Sequence, residues 1–383
     1  MNQTSRASSA CIVGLGHTPL AARLNGSAWA LQAEAVRLAV AEAGLSPCDV
    51  DGLITEPGYS QGVVEGITPH FLRLGAMLGL DPRYTYSEVI GGASSVAMVQ
   101  RAAMAIDAGL CAVCVCVFGD APSMATGTWS YGRGDDAAFG LFGAAGLHAL
   151  AARRHMTLYG TQPEQLGEIA VTCRRHAGLT PHAQQHAPLT IDEYMASRYL
   201  VEPLRILDCC LISDGAGAVV VSTQARARDL KQRPVSIVGF GQAHHLTGLT
   251  SADYLTQLPA LRAGQIAFQM AGVTHKDIDV AELYDCFTIV VLLQLEDYGF
   301  CAKGEGGAFA SNGNLGLAGT LPTNTAGGLL SEGFGGGMFH IIEAVRQLRG
   351  DCGDRQVQDA EVALVSGHGL GMNTHATLIL GRN

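Results

Sequence analysis

The chain has 383 residues, a formal net charge of −10, 48% hydrophobic and 15% charged residues, and 49 glycines. That length exceeds one ordinary core and points to two domains or a duplicated one; the apolar content excludes a disordered chain. A balance of 24 Lys and Arg against 34 Asp and Glu excludes a general nucleic-acid binder, which needs clustered positive charge.

The 11 cysteines are irregularly spaced and the first ten residues carry no apolar signal segment. These features read as reduced thiols in a cytoplasmic protein. The best apolar run, residues 110–118, is strand-sized and too short to span a bilayer.

In chain order, Ile12-Val13-Gly14-Leu15-Gly16 predicts a first strand. Its Gly-x-Gly lacks the third glycine of a dinucleotide fingerprint, so it reads as a strand end at a turn. A helix over 30–43 and a strand over 52–55 follow. Gly91-Gly92-Ala93-Ser94-Ser95 opens a second helix that ends near Gly109 and leads into a strand over 112–117. After a long insertion, about 120–206, a strand over 216–222 closes the first half.

The same order then recurs. Ile237-Val238-Gly239-Phe240-Gly241 repeats the first strand at an offset of 225 residues, and Ala271-Gly272-Val273 repeats Ala43-Gly44-Leu45 at 228. A helix over 260–271, a strand over 280–284, a helix opened by Gly335-Gly336-Gly337, and strands over 362–366 and 375–380 complete it. Strands alternating with helices, twice over, predict an α/β fold of two similar halves, 1–234 and 235–383.

The insertion concentrates Trp129, Tyr131, Arg153-Arg154-His155, Arg174-Arg175-His176, His182 and His186. It reads as a lid or binding loop with a place for a polyanion. His176, His182 and His186 lie in loop-like text with no completing Cys pair, so no metal site is expected.

Two segments carry chemistry. Glu282-Leu283-Tyr284-Asp285-Cys286-Phe287 puts a phenol, a carboxylate and a thiol at a central strand end, where α/β proteins place ligands. Ser366-Gly367-His368-Gly369-Leu370-Gly371 holds a histidine between glycines at another, where an imidazole can donate to an oxyanion or shuttle a proton. The Gly91-Gly92 helix start supplies main-chain donors for an enolate or thioester oxyanion. An isolated Tyr-Asp-Cys-Phe also fits ordinary strand-end polarity with Cys286 as a small core residue.

Ser213-Asp214-Gly215-Ala216-Gly217-Ala218, Tyr284-Asp285-Cys286-Phe287, Gly299-Phe300-Cys301 with Lys303-Gly304-Glu305-Gly306-Gly307, Asn324-Thr325-Ala326-Gly327-Gly328 and the tail around His368 stand in one order over residues 11–381. As a set they resemble the thiolase superfamily, in its branch of sterol-carrier-protein-type thiolases and lipid-transfer acyl-CoA proteins. The resemblance implies a duplicated five-layer αβαβα fold. It also implies two losses: the family's nucleophilic cysteine falls on Gly91, with Ser94 and Ser95 the nearest side-chain nucleophiles, and the family's Gly-His-Pro histidine falls on Phe334.

A subgroup without that nucleophile performs retro-aldol cleavage of β-hydroxyacyl-CoA thioesters, as in steroid side-chain degradation. There Tyr284 matches a catalytic tyrosine, and Phe334 the position of a second one. Cys286 matches the acid/base cysteine of the sterol-carrier thiolases. The implied site is Tyr284, Asp285, Cys286 and His368, with Gly91, Gly92 and Gly369 around the enolate oxygen. The implied substrate is a coenzyme A thioester that approaches through the basic insertion, with no permanently bound cofactor. The implied partners are a second copy of the chain and a small OB-fold, zinc-ribbon companion. Acyl transfer through Cys286 or Ser94, and a silent acyl-CoA-binding subunit, stand as alternatives.

Overall fold

The computed structural model describes residues 8–58, 70–124, 138, 140–141, 143–245 and 255–383. Trp129 and Tyr131 lie outside the described residues. Nine strands form one sheet: β1 (Ala10–His17), β2 (Gly52–Glu56), β3 (Tyr84–Ser87), β4 (Val113–Asp120), β7 (Gly215–Thr223), β8 (Val235–His244), β9 (Val280–Glu282), β10 (Val362–Gly369) and β11 (Thr374–Arg382). A separate hairpin pairs β5 (Tyr199–Val201) with β6 (Leu204–Arg205).

The order β3-β2-β4-β7-β1-β8-β11-β10-β9 repeats itself outward from a short β1–β8 junction, where Cys11 faces Ser236 and Ile12 faces Val235. Thr323 bridges Ala281 of β9 in parallel, standing where β3 stands beside β2.

Helices fill the remaining layers. α1 (Ala28–Glu42) packs Val36, Ala39 and Val40 on the outer face of the first strands, against Val13, Val115 and Val220. Between the two groups of strands lie α2 (Ser94–Asp107) and α7 (Met338–Arg349). Their Val96, Val99, Ile341 and Val345 share one core with Cys116 and Val219 from the first strands and with Val365 and Leu378 from the last. α5 (Ala260–Ala271) covers the far face of the second group. The result is the αβαβα layering, with β4 (VCVCVFGD) and α6 (Thr288–Asp297, TIVVLLQLED) buried along their whole lengths, as their apolar runs Val113–Phe118 and Ile289–Leu293 lead one to expect.

The repeated Gly-x-Gly sits mid-strand, not at a strand end. A Cβ on Gly16 would come within 2.2 Å of the Ala35 carbonyl of α1, and one on Gly241 within 2.2 Å of the Ala263 carbonyl of α5. In each half the glycines let a helix lie directly on its strand.

Between β4 and β7, residues 121–214 include α3 (Gly143–Tyr159) and α4 (Pro163–Ala177), which pack on α6. Half of the basic residues expected to meet a polyanion are spent on this docking. His155 is fully buried, with Nε2 3.1 Å from Glu296. Arg174 donates to Ser331 Oγ at 3.0 Å, His176 Nδ1 to the Asn324 carbonyl at 3.1 Å, and His182 Nε2 lies 2.9 Å from Glu332. Arg153 pairs with Glu202 at the surface, and Arg154, Arg175 and His186 are exposed. No described helix is long and apolar enough to cross a membrane.

Candidate active site

Strand β9 ends at Glu282 opposite Val365 of the parallel strand β10, and the last residues of β10, with the loop after β9, meet the start of α2. Between these pieces and α3 lies a cavity of about 380 Å³. Its wall contains Tyr284, Cys286, His368, Gly369, Gly91, Gly92 and Phe334, seven sequence-predicted positions from four parts of the chain. Val89, Leu147, Phe287 and Leu370 make the rest of the wall largely apolar, as suits a small-molecule site.

The loop after β9 is clamped from both sides. Asn324 accepts the Leu283 N–H at 2.7 Å through Oδ1 and donates to the Leu283 carbonyl at 2.9 Å through Nδ2. The Tyr284 N–H donates to Ser366 Oγ at 2.8 Å, and its carbonyl accepts from Gln294 Nε2 at 2.9 Å. The Asn-Thr-Ala-Gly-Gly motif thus holds the tyrosine in place from outside the cavity.

The Tyr284 ring lies between two helix starts. A Cβ on Gly92, just before α2, would sit 2.1 Å from Tyr284 Oη and 2.4 Å from the His368 carbonyl; one on Gly337, just before α7, would sit 3.4 Å from the ring. Only glycine at position 92 leaves the phenol this place. The phenol oxygen lies against Gly92 at the start of α2, while the start of α7 faces the ring carbons.

Gly91 has φ +66°, and a Cβ there would meet the Leu370 amide nitrogen at 2.9 Å. A cysteine at this position is therefore strained as well as absent. The neighbouring serines are already engaged. Ser94 Oγ donates to the Gly91 carbonyl at 2.7 Å and accepts the Ile90 N–H at 2.9 Å, while Ser95 Oγ donates to the Gly336 carbonyl at 2.7 Å. Both are fully buried.

His368 is buried, and neither ring nitrogen has a hydrogen-bond partner among the described residues. Burial, with His148 and His375 nearby, lowers its pKa well below the usual imidazole range, so it is neutral, with one donor and one acceptor to offer. Cys286 is held as a thiol: burial, reinforced by Cys210, Asp285 and Cys209, pushes its pKa well up.

Asp285, grouped with these residues in the sequence, turns away from the cavity. It accepts the N–H groups of Leu329 at 2.8 Å and Leu330 at 3.2 Å and pairs with His340 Nε2 at 3.0 Å. Its place is an anchor for the turn after Gly327-Gly328. Ser213 and Asp214 are likewise anchors. Ser213 Oγ accepts the Phe334 N–H at 2.8 Å, and Asp214 accepts from Leu24 at 2.8 Å and Ser123 at 3.0 Å.

Among the wall residues that sequence reasoning missed is a histidine. His148 of α3 reaches into the cavity beside Cys286 and His368, from an Ala- and Gly-rich helix with nothing in its text to mark it.

Comparison with known proteins points to one family. A family model described as thiolase C-terminal domain-like matches residues 241–382. The chain is 38% identical to a steroid side-chain-cleaving aldolase of Thermomonospora curvata, covering 94% of this chain and 95% of the relative. It is 39% identical to a 17-hydroxy-3-oxo-4-pregnene-20-carboxyl-CoA lyase of Mycobacterium tuberculosis, over 97% and 99%. Among solved structures, an Ltp2-ChsH2(DUF35) aldolase superposes with a TM-score of 0.89 at 37% identity, covering 98% of each chain. The chain belongs to the thiolase superfamily, in the sterol-carrier-protein-type branch that contains the side-chain-cleaving aldolases.

Proposed function

We propose that the chain is an acyl-CoA carbon–carbon lyase that cleaves a β-hydroxyacyl-CoA by a retro-aldol reaction, giving a carbonyl compound and a shortened acyl-CoA. The observation that carries this reading is the cavity wall: Tyr284, His368 and Cys286 converge beside Gly91, the position that the resemblance gives to the family's nucleophile. Cleavage of this kind needs a base for the β-hydroxyl and donors for the thioester enolate, and no covalent acyl-enzyme. A serine without a base, or a thiol whose pKa burial raises, is a poor nucleophile, which disfavours acyl transfer.

In this mechanism Tyr284, as the phenolate, takes the β-hydroxyl proton. The Cα–Cβ electron pair moves into the thioester carbonyl, whose oxygen is held by the His368 N–H and the Gly91–Gly92 amides. The enolate carbon then takes a proton from the Cys286 thiol. The coenzyme A portion approaches past the insertion, where Arg154 and Arg175 remain exposed.

The names of the relatives support a steroid acyl group, and the Ltp2-ChsH2(DUF35) aldolase structure supports a small companion protein; its OB-fold, zinc-ribbon kind rests on the resemblance. We infer a homodimer as well, since β3 ends the sheet with Tyr86 and Val89 exposed beside it.

The test is product analysis with 17-hydroxy-3-oxo-4-pregnene-20-carboxyl-CoA, for the chain alone and with its companion. A 17-ketone and propionyl-CoA in equal amounts are expected. Their absence in both assemblies, with tight binding of the thioester retained, would favour a silent acyl-CoA-binding subunit instead.

A further inference from the structure

We propose that His148 is a positioning residue for Cys286, holding its thiol as the proton donor to the α-carbon of the substrate; this rests on the retro-aldol reading. His148 is only 3% exposed. Its Nδ1 lies 2.7 Å from the carbonyl oxygen of Ala144. A carbonyl oxygen only accepts, so Nδ1 carries the hydrogen and Nε2 is the bare nitrogen. That nitrogen lies 4.0 Å from Cys286 Sγ.

The ring plane is fixed by stacking on Phe287, with centroids 4.3 Å apart and planes 25° from parallel. Burial lowers the His148 pKa to about 4, which keeps the ring a neutral acceptor at ordinary pH. Tautomer, plane and direction are thus set by separate contacts, and the one nitrogen they leave faces the thiol. Packing alone does not account for a bare acceptor aimed at a thiol in the wall of the cavity.

In the step, rotation about the Cys286 Cβ–Sγ bond turns the thiol hydrogen from His148 Nε2 to the enolate carbon; the Cα–H bond forms as the Sγ–H bond breaks, and the S–H electron pair stays on sulfur. Tyr284 has by then gained the β-hydroxyl proton, so the site has neither gained nor lost one in total. Water entering the emptied cavity carries the proton from Tyr284 back to Cys286.

Two variants separate positioning from packing: His148→Phe keeps an aromatic ring on Phe287 and loses the acceptor, and His148→Gln keeps an acceptor. Cleavage of the steroid thioester in D2O by the unaltered chain with its companion should give propionyl-CoA deuterated on one face of the α-carbon. In His148→Phe we expect kcat to fall about a hundredfold with KM nearly unchanged, and deuterium on both faces; His148→Gln should restore a single face. Independently of turnover, the infrared S–H stretch of Cys286, assigned by its loss in Cys286→Ser, should move to higher frequency in His148→Phe and not in His148→Gln. An unmoved S–H band, or a His148→Phe enzyme that keeps its rate and single face, overturns the proposal. A protein that releases no ketone while its S–H band moves as expected refutes the retro-aldol reading and, with it, the donor role, while leaving the contact itself established.

Discussion

The two antiparallel pairs β4–β7 and β10–β11 occupy equivalent places in the repeated strand order, yet their links differ greatly. β10 and β11 are joined by residues 370–373, and that tight link delivers His368 straight to the cavity. β4 and β7 are joined by residues 121–214, whose helices α3 and α4 pack on α6 of the second half. The short link makes a site residue by geometry close to its own strand. The long link makes one, His148, by docking against the opposite half. Each half therefore contributes to one cavity, by opposite means.

The largest expected effect falls on the short-link side. Tyr284→Phe should lower kcat about 1,000-fold, equivalent to about 4 kcal/mol of transition-state stabilisation, with the folded structure intact. Ketone release and a thermal melt measured on the same sample check this; an active Tyr284→Phe enzyme removes the proposed base.

Acid should strain both links together. Burial lowers the pKa of His148, on the long link, to about 4 and that of His375, on β11, to about 3. In the unfolded chain both return to about 6.5, so the unfolded state binds more protons over this range. The stability they contribute is complete above about pH 6.5 and is lost as the pH falls toward 4 and 3. At pH 5 each should cost about 2 kcal/mol relative to pH 8, read from urea unfolding midpoints. A flat profile between pH 8 and 5 contradicts their burial as neutral rings.

The glycines beneath the outer helices sharpen the comparison, because there the halves match. Gly16→Ala and Gly241→Ala each drive a methyl to 2.2 Å from a helix carbonyl, and each should destabilise the protein by about 3 kcal/mol. Clearly unequal losses would show that the two halves are not built alike. The smallest effect is expected at Gly91→Cys. The positive φ and the Leu370 contact should cost about 1–2 kcal/mol, and mass spectrometry should find no acyl group on the new thiol.

Much of this architecture was legible because the repeat has a physical cause. Gly14, Gly16, Gly239 and Gly241 recur where a helix must lie on a strand, so their spacing carried the layer arrangement even though they were read as strand ends. Tyr284, Cys286, His368 and Gly92 were legible because parallel strand ends and helix starts gather in one place. Asp285 shows the limit: adjacent residues at a strand end can face different surroundings, and it anchors the turn at Leu329 and Leu330. The basic residues of the insertion were misleading, since His155, Arg174 and His176 bind the insertion to the rest of the chain. His148 was invisible because its place depends on how two distant helices pack.

The central claim is cleavage without a covalent acyl-enzyme. The most direct measurement is intact-protein mass spectrometry on samples quenched during turnover of a β-hydroxyacyl-CoA, with ketone and acyl-CoA counted in parallel. The account predicts equal amounts of ketone and shortened acyl-CoA with the protein mass unchanged. An acyl adduct on Cys286 or Ser94, accompanied by release of free coenzyme A, would contradict it.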